Sequence, residues 1–201
     1  MIDAAIRQYI DPPLNSAGAK IAAVGVSANA VTVIGFLLGM TAIPFIVSGN
    51  YLIALVFILV NRLFDGLDGA VARQTILSDF GGYLDIVSDF IFYSGIVFAF
   101  AWAAPENTLA AAFLIFSFMG TASTFLAYAA MAAKHDISTD IRGIKSLYYL
   151  GGLAEGAETI AVLVLFCLAP AYFSSIALVF AVMCWITTAT RIYAAYVTFK
   201  K

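Results

Sequence analysis

The chain has 201 residues, 63% of them hydrophobic and 11% charged, with a mean hydropathy of +1.00 and a net charge of -2. Soluble domains carry about 25% charged residues. So little polar surface cannot clothe a water-soluble globule of this length, and without a basic tail or arginine-rich patch the chain offers nothing to nucleic acid.

The expected class is all-α: a polytopic membrane protein with one domain over 1–201 and six transmembrane helices. In chain order, Met1 to Gly25 carries Asp3, Arg7, Asp11 and Lys20 and lacks the clean apolar run of a signal peptide. Within it, Asp3 to Lys20 mixes polar and apolar residues around Pro12-Pro13, which suits an N-terminal interfacial helix. The expected spans are Ala28–Val47, Tyr51–Arg73, Phe80–Ala103, Asn107–Ala133, Leu147–Tyr172 and Ser174–Phe199. Cys167 and Cys184 both lie in apolar segments and read as small core residues. Lysines and arginines collect before the first span, around the turns after the second and fourth, and at the end of the sixth. The three opposite turns have none, which puts both termini and the charged turns on the cytoplasmic side.

Charged residues inside apolar helices are costly and usually functional. Here they cluster. The second span ends in Asp65-Gly-Leu-Asp68-Gly69-Ala-Val-Ala72-Arg73, and the third begins Gly81-Gly-Tyr-Leu-Asp85-Ile-Val-Ser-Asp89. At about 100° per residue, Asp65, Asp68, Gly69 and Ala72 share one helix face, and Gly81, Asp85 and Asp89 share another. A short connection makes the helices antiparallel neighbours, so the four carboxylates meet at similar depth. Four carboxylates cannot stay ionised together in a low dielectric without cations, and hard divalent ions such as Mg²⁺ or Mn²⁺ prefer oxygen ligands. Two such ions can clamp a diphosphate and stabilise in-line displacement at phosphorus. Gly69, Ala72 and Gly81 leave room for a bulky ligand near the backbone. The bland alternative pairs the aspartates with Arg62, Arg73 and helix ends, but two arginines cannot neutralise four acids.

The pattern Asp65-x2-Asp68-Gly69-x2-Ala72-Arg73-x7-Gly81-x3-Asp85-x3-Asp89 resembles the signature of the CDP-alcohol phosphotransferases at all eight fixed positions. The stretch from Lys145 to Thr159 further resembles small bacterial inner-membrane members of that family. The resemblance implies transfer of a phosphatidyl-type group from CDP-diacylglycerol to an acceptor alcohol, with release of CMP. It implies that Asp65, Asp68, Asp85 and Asp89 hold two metals and that Asp89 is also the general base. Gly69, Ala72 and Gly81 would then line the nucleotide site with Arg73 beside it, and the protein would form a homodimer in the bilayer.

Three secondary features carry weaker signals. Asn29 and Thr32 open the first span where the family often has Pro-Asn-x2-Thr, with Ala28 replacing the proline; either they touch the diphosphate or they are a cap and an ordinary polar residue. Lys145, with Arg142 near it, either contacts a substrate phosphate or serves only the charge asymmetry. Glu155 and Glu158 fall inside the fifth expected span, at a depth of on the order of 12 Å like that of Arg191 in the sixth. Either they form a buried ion pair with that arginine or one of them binds the acceptor. Two other classes compete. An aspartate-rich membrane prenyltransferase would carry its motifs on widely separated helices and release pyrophosphate. A cation transporter would distribute acids across the bilayer or repeat its halves.

Overall fold

A computed structural model describes residues 2–75, 77–135 and 152–200, with side chains from residue 11 onward. Every regular element in it is helical: α1 (Ile2–Ala23), α2 (Ala28–Met40), α3 (Ala42–Val47), α4 (Tyr51–Gln74), α5 (Asp79–Ala103), α6 (Thr108–Lys134), α7 (Gly156–Leu168) and α8 (Phe173–Phe199). Short 3₁₀ turns at Pro105–Asn107 and Pro170–Tyr172 lead into α6 and α8.

The breaks follow from local chemistry. α1 ends at Gly25, whose φ of 82° closes a turn in which Val26 N–H donates to the Ile21 carbonyl. α3 ends the same way at Gly49 (φ 77°), with Asn50 N–H on the Phe45 carbonyl at 2.8 Å. Both are left-handed helix ends that only glycine adopts freely. The first expected span is divided at Thr41 into α2 and α3. Pro44 has no N–H for the Met40 carbonyl and its ring crowds that oxygen, so the ladder breaks four residues upstream.

Four stretches are long and apolar enough to cross a membrane: Ala28–Val47, Asp79–Ala103, Pro105–Lys134 and Pro170–Phe199. In the most apolar 18-residue stretch of each, between 28% and 39% of residues are buried inside the chain, so the remaining, largely apolar surface needs lipid around it. α4 has the length, 24 residues, but carries Arg62, Asp65, Asp68 and Arg73. α7 has the apolarity but only 13 residues, about 20 Å. The fifth expected span is therefore corrected: helix begins at Gly156, the described residues 152–155 precede it as irregular backbone, and Leu147 to Gly151 lie outside the described residues. The N-terminal segment is one helix running through Pro12 and Pro13 and packed on α4.

Packing divides the molecule. α2, α3, α4 and α5 form one group with α1 laid on α4, while α6 pairs with α8 and touches α5. α7 bridges α4, α5 and α8. An aromatic cluster fastens this junction: Phe173 stacks on Phe100 with centroids 4.8 Å apart and meets Phe166 at 4.5 Å. Lipid tails are as apolar as these side chains, so such contacts stabilise by dispersion and geometry rather than by leaving water.

In the α2–α4 seam, Gly35 lies against Phe64 and Gly39 against Asn61. A Cβ on Gly39 would stand 2.8 Å from both Asn61 Cβ and the Phe92 ring. This approach lets Asn61 Nδ2 donate to the Gly35 carbonyl at 3.0 Å and brings Thr32 against α4.

Candidate active site

The C-terminal half of α4 and the N-terminal half of α5 face each other across a cleft backed by Thr32, Gly35 and Phe36 of α2. Asp65, Asp85 and Asp89 each direct a carboxylate oxygen into it, and these oxygens lie within 4.8 Å of one another. All three residues are half-buried. Helical spacing explains the convergence: Asp85 and Asp89 are one turn apart on α5, and Asp65 faces them from α4.

Asp68 lines the same cleft but sits deeper, 7% exposed, and its Oδ2 accepts a 2.6 Å hydrogen bond from the Thr32 hydroxyl. Its position one turn beyond Asp65 on the same face agrees with the sequence pattern. The tight cluster itself comprises the other three aspartates. Thr32, expected either to touch the diphosphate or to be an ordinary polar residue, lines the aspartate cleft. The cap of α2 is Ser27, whose Oγ accepts from Ala30 N–H at 3.2 Å, so the helix starts at Ala28 without the proline.

Arg62 lies one turn before Asp65 and reaches across to α5. Its Nη2 donates to Asp89 Oδ1 at 2.7 Å, and its Nη1 stands 3.7 Å from Asp65 Oδ2. Tyr93, one turn after Asp89, donates its hydroxyl to Asp89 Oδ2 at 3.0 Å and accepts from Arg62 Nη1 at 2.9 Å. The bland alternative therefore holds for Arg62, which pairs with two of the acids, and fails for Arg73. The Arg73 Nε and Nη2 groups donate to Asn15 Oδ1 of α1, at 3.1 and 2.8 Å.

The glycines divide between two duties. A Cβ at Gly81 would stand 3.0 Å from Asn29 Oδ1 and from Ser78 Oγ, the group that caps α5. Gly81 thus gives the Asn29 and Ser78 side chains room at the start of α5, a steric feature the spacing does not reveal. A Cβ at Gly69 would meet only Arg73 Nη1, at 3.4 Å, and Ala72 is half-buried on the same face of α4.

Glu155 and Glu158 are placed differently from expectation. Rather than lying mid-span, they form the capping box of α7. Glu155 Oε1 accepts from Gly152 N–H at 2.7 Å, and Glu158 Oε2 accepts from Glu155 N–H at 3.1 Å. Free N–H groups at a helix start demand acceptors, and the E-x-x-E spacing is the signal that places them there. Buried Arg191 donates from Nη1 to the Thr121 carbonyl at 3.0 Å and lies over the Phe125 ring. Lys145 and Arg142 lie outside the described residues.

Sequence reasoning passed over Asn61 and Tyr93. The i+4 step from Asp89 to Tyr93 would have placed the tyrosine on the acidic face, whereas Asn61 acts through the α2 backbone and leaves no periodic trace. Three carboxylates supplying only hard oxygen ligands suit Mg²⁺ or Mn²⁺, and no imidazole or thiol belongs to the described cluster.

Apolar helices that need lipid, with a recessed carboxylate cluster between α4 and α5 that could hold hard cations, define a membrane protein. The family model of the CDP-alcohol phosphatidyltransferases matches residues 25–197, and the chain belongs to that family of phosphotransferases. It is 49% identical to the inner membrane protein YnjF of Escherichia coli K12, over all of this chain and 98% of that one. It is 29% identical to the archaetidylinositol phosphate synthase of Pyrococcus horikoshii, over 94% of each. Its fold is that of the Mycobacterium tuberculosis phosphatidylinositol phosphate synthase solved with CDP-DAG bound, at a TM-score of 0.68 and 20% identity, covering 91% of this chain and 93% of that one. The same synthase solved with manganese and citrate aligns at a TM-score of 0.66 and 22% identity, over 91% and 88%.

Proposed function

We propose that the protein transfers the phosphatidyl group of CDP-diacylglycerol to an acceptor alcohol, releasing CMP. The observation that carries this reading is the convergence of Asp65, Asp85 and Asp89 within 4.8 Å, beside Asp68, in a cleft between α4 and α5. Asp65, Asp68, Asp85 and Asp89 together would hold two divalent ions, Mg²⁺ or Mn²⁺. Such ions neutralise the diphosphate and stabilise charge as the phosphorus is attacked.

The chain's own groups do the rest. Asp89 accepts the proton of the acceptor hydroxyl as its oxygen bonds to the phosphorus bearing the lipid. The bond from that phosphorus to the CMP oxygen breaks, and CMP leaves. Arg62 and Tyr93 fix the Asp89 carboxylate for this task through one hydrogen bond to each oxygen. Asn29, Thr32, Gly69, Ala72, Arg73 and Gly81 surround the nucleotide and diphosphate. Lys145, Glu155 and Glu158 remain the candidates for the acceptor side, with the two glutamates entering through the α7 N-terminus they cap.

The protein acts as a homodimer in the bacterial inner membrane. α4 and α7 complete six spans, and the termini and the aspartate cleft face the cytoplasm, a reading that the lysine and arginine asymmetry supports.

The test is to incubate purified protein with CDP-diacylglycerol, Mg²⁺ and a panel of alcohols, with inositol phosphate included because that headgroup appears in the names of two relatives. CMP release that depends on one alcohol and stops on chelation is expected. Turnover unchanged by EDTA would sink the two-metal mechanism, and pyrophosphate release from a prenyl donor would replace the reaction.

A further inference from the structure

A single guanidinium stands between two of the carboxylates assigned to metal. Arg62 Nη2 is 2.7 Å from Asp89 Oδ1, and Nη1 is 3.7 Å from Asp65 Oδ2. Its side chain is 11% exposed, against 36% for Asp65 and 28% for Asp89, so the cation is the most buried member of the trio.

It is also fastened from behind. Arg62 Nε donates to Asn61 Oδ1 at 2.8 Å, and Nη2 donates to the same oxygen. Asn61 is itself fixed by its 3.0 Å bond to the Gly35 carbonyl. The guanidinium carbon lies 5.0 Å from the Phe92 centroid and 5.2 Å from that of Tyr93. Hydrogen bonds on one edge and two aromatic rings hold the charge at the acids. Retreat would cost the cation its buried partners, so it stays within a few ångströms of any ion entering the cluster.

We infer that Arg62 is a resident counter-cation that competes with divalent metal for Asp65 and Asp89 and holds down the intrinsic metal affinity of the site. This rests on the metal reading above and adds to it. The guanidinium occupies a lone-pair direction of Asp89 Oδ1, and its positive charge repels an incoming cation. The same contacts keep the acids from splaying apart when no metal is bound. Full metal loading then requires the negative charge of the diphosphate, so that donor lipid and metal bind together. An arginine that merely packs or orients predicts the opposite sign: removing it would loosen the site and weaken metal binding.

The test is Mn²⁺ titration of the full-length protein in detergent without lipid substrate, read by electron paramagnetic resonance. Wild type, Arg62→Gln, Arg62→Met, Arg62→Lys and Asp85→Asn are compared. Arg62→Met keeps an unbranched stem between the rings if Arg62→Gln fails to fold. Either neutral variant should bind Mn²⁺ about tenfold more tightly than wild type, the size of effect one neighbouring full charge exerts on a carboxylate. Arg62→Lys, which keeps the charge and loses the fork, should stay within about threefold of wild type. Equal or weaker binding by the neutral variants, with wild-type binding lost in Asp85→Asn, overturns the competition and leaves the metal site standing. No binding by wild type or by either neutral variant overturns both.

Discussion

Asp89 and Asp68 are chemically identical and differently held. Asp89 is half-buried and receives one hydrogen bond on each oxygen, from Arg62 and Tyr93. Asp68 is nearly fully buried and bonded by Thr32. The two should therefore fail differently. Asp89→Asn keeps the shape of the side chain and a carbonyl for Arg62 but cannot accept a proton. CMP release is expected to fall by about 10²–10⁴-fold while the helical content by circular dichroism is unchanged. Wild-type turnover in that variant would remove Asp89 from the role of base. Thr32→Val preserves volume and deletes the hydroxyl, leaving a buried carboxylate one donor short. The expected cost is about 1–3 kcal/mol, measured by chemical unfolding in detergent, with metal restoring part of the loss. The acidic face is legible in the sequence, because helical periodicity alone aligns its members. The bond from Thr32 to that face is not legible there, because Thr32 comes from a helix whose register against α4 depends on how closely the backbones approach.

Helix proximity decides that register. α2 and α4 meet at Gly35 and Gly39, and the Asn61 bond to the Gly35 carbonyl exists only because no side chain intervenes. Gly39→Ala places a methyl 2.8 Å from Asn61 Cβ on a neighbouring helix, which cannot yield as a flexible side-chain end would. A loss of about 1–3 kcal/mol is expected. Because Asn61 anchors Arg62, CMP release should drop with it, and unaltered stability and activity would show that the seam is not tight. One element-level expectation needed correction and another kept its bounds but gained an internal break, both for local reasons. Pro44 divides the first span, and the Glu155–Glu158 capping box starts α7 at Gly156. Both signals are present in the sequence, one as a proline four residues after the break, the other as two acids three apart. Apolar length alone conceals them, since a hydropathy window averages over a break.

For the whole molecule, the exposed apolar surface of the spanning helices requires lipid, and the charge asymmetry predicts which end faces the cytoplasm. Gln74, Lys200 and Asn50 are exposed, the first two at the charged end and the third in the opposite turn. Gln74→Cys and Lys200→Cys should react with a membrane-impermeant maleimide in inside-out vesicles, and Asn50→Cys only in right-side-out vesicles. The native Cys167 and Cys184 are both free and buried, so they should stay silent. Labelling of Asn50→Cys from the cytoplasmic side would reverse the orientation. The sequence by itself determined the helical class, the lipid environment and the convergence of Asp65, Asp85 and Asp89 on a cleft that Asp68 also lines. Each of these follows from composition or from a period of 3.6 residues along one or two adjacent helices. Only the tertiary structure decided that Thr32 binds Asp68, that Arg62 stands among the acids while Arg73 turns away to Asn15, and that Gly81 makes room for Asn29. Those contacts join residues up to 58 positions apart, and their geometry is set by interhelical distance, a quantity no single helix encodes.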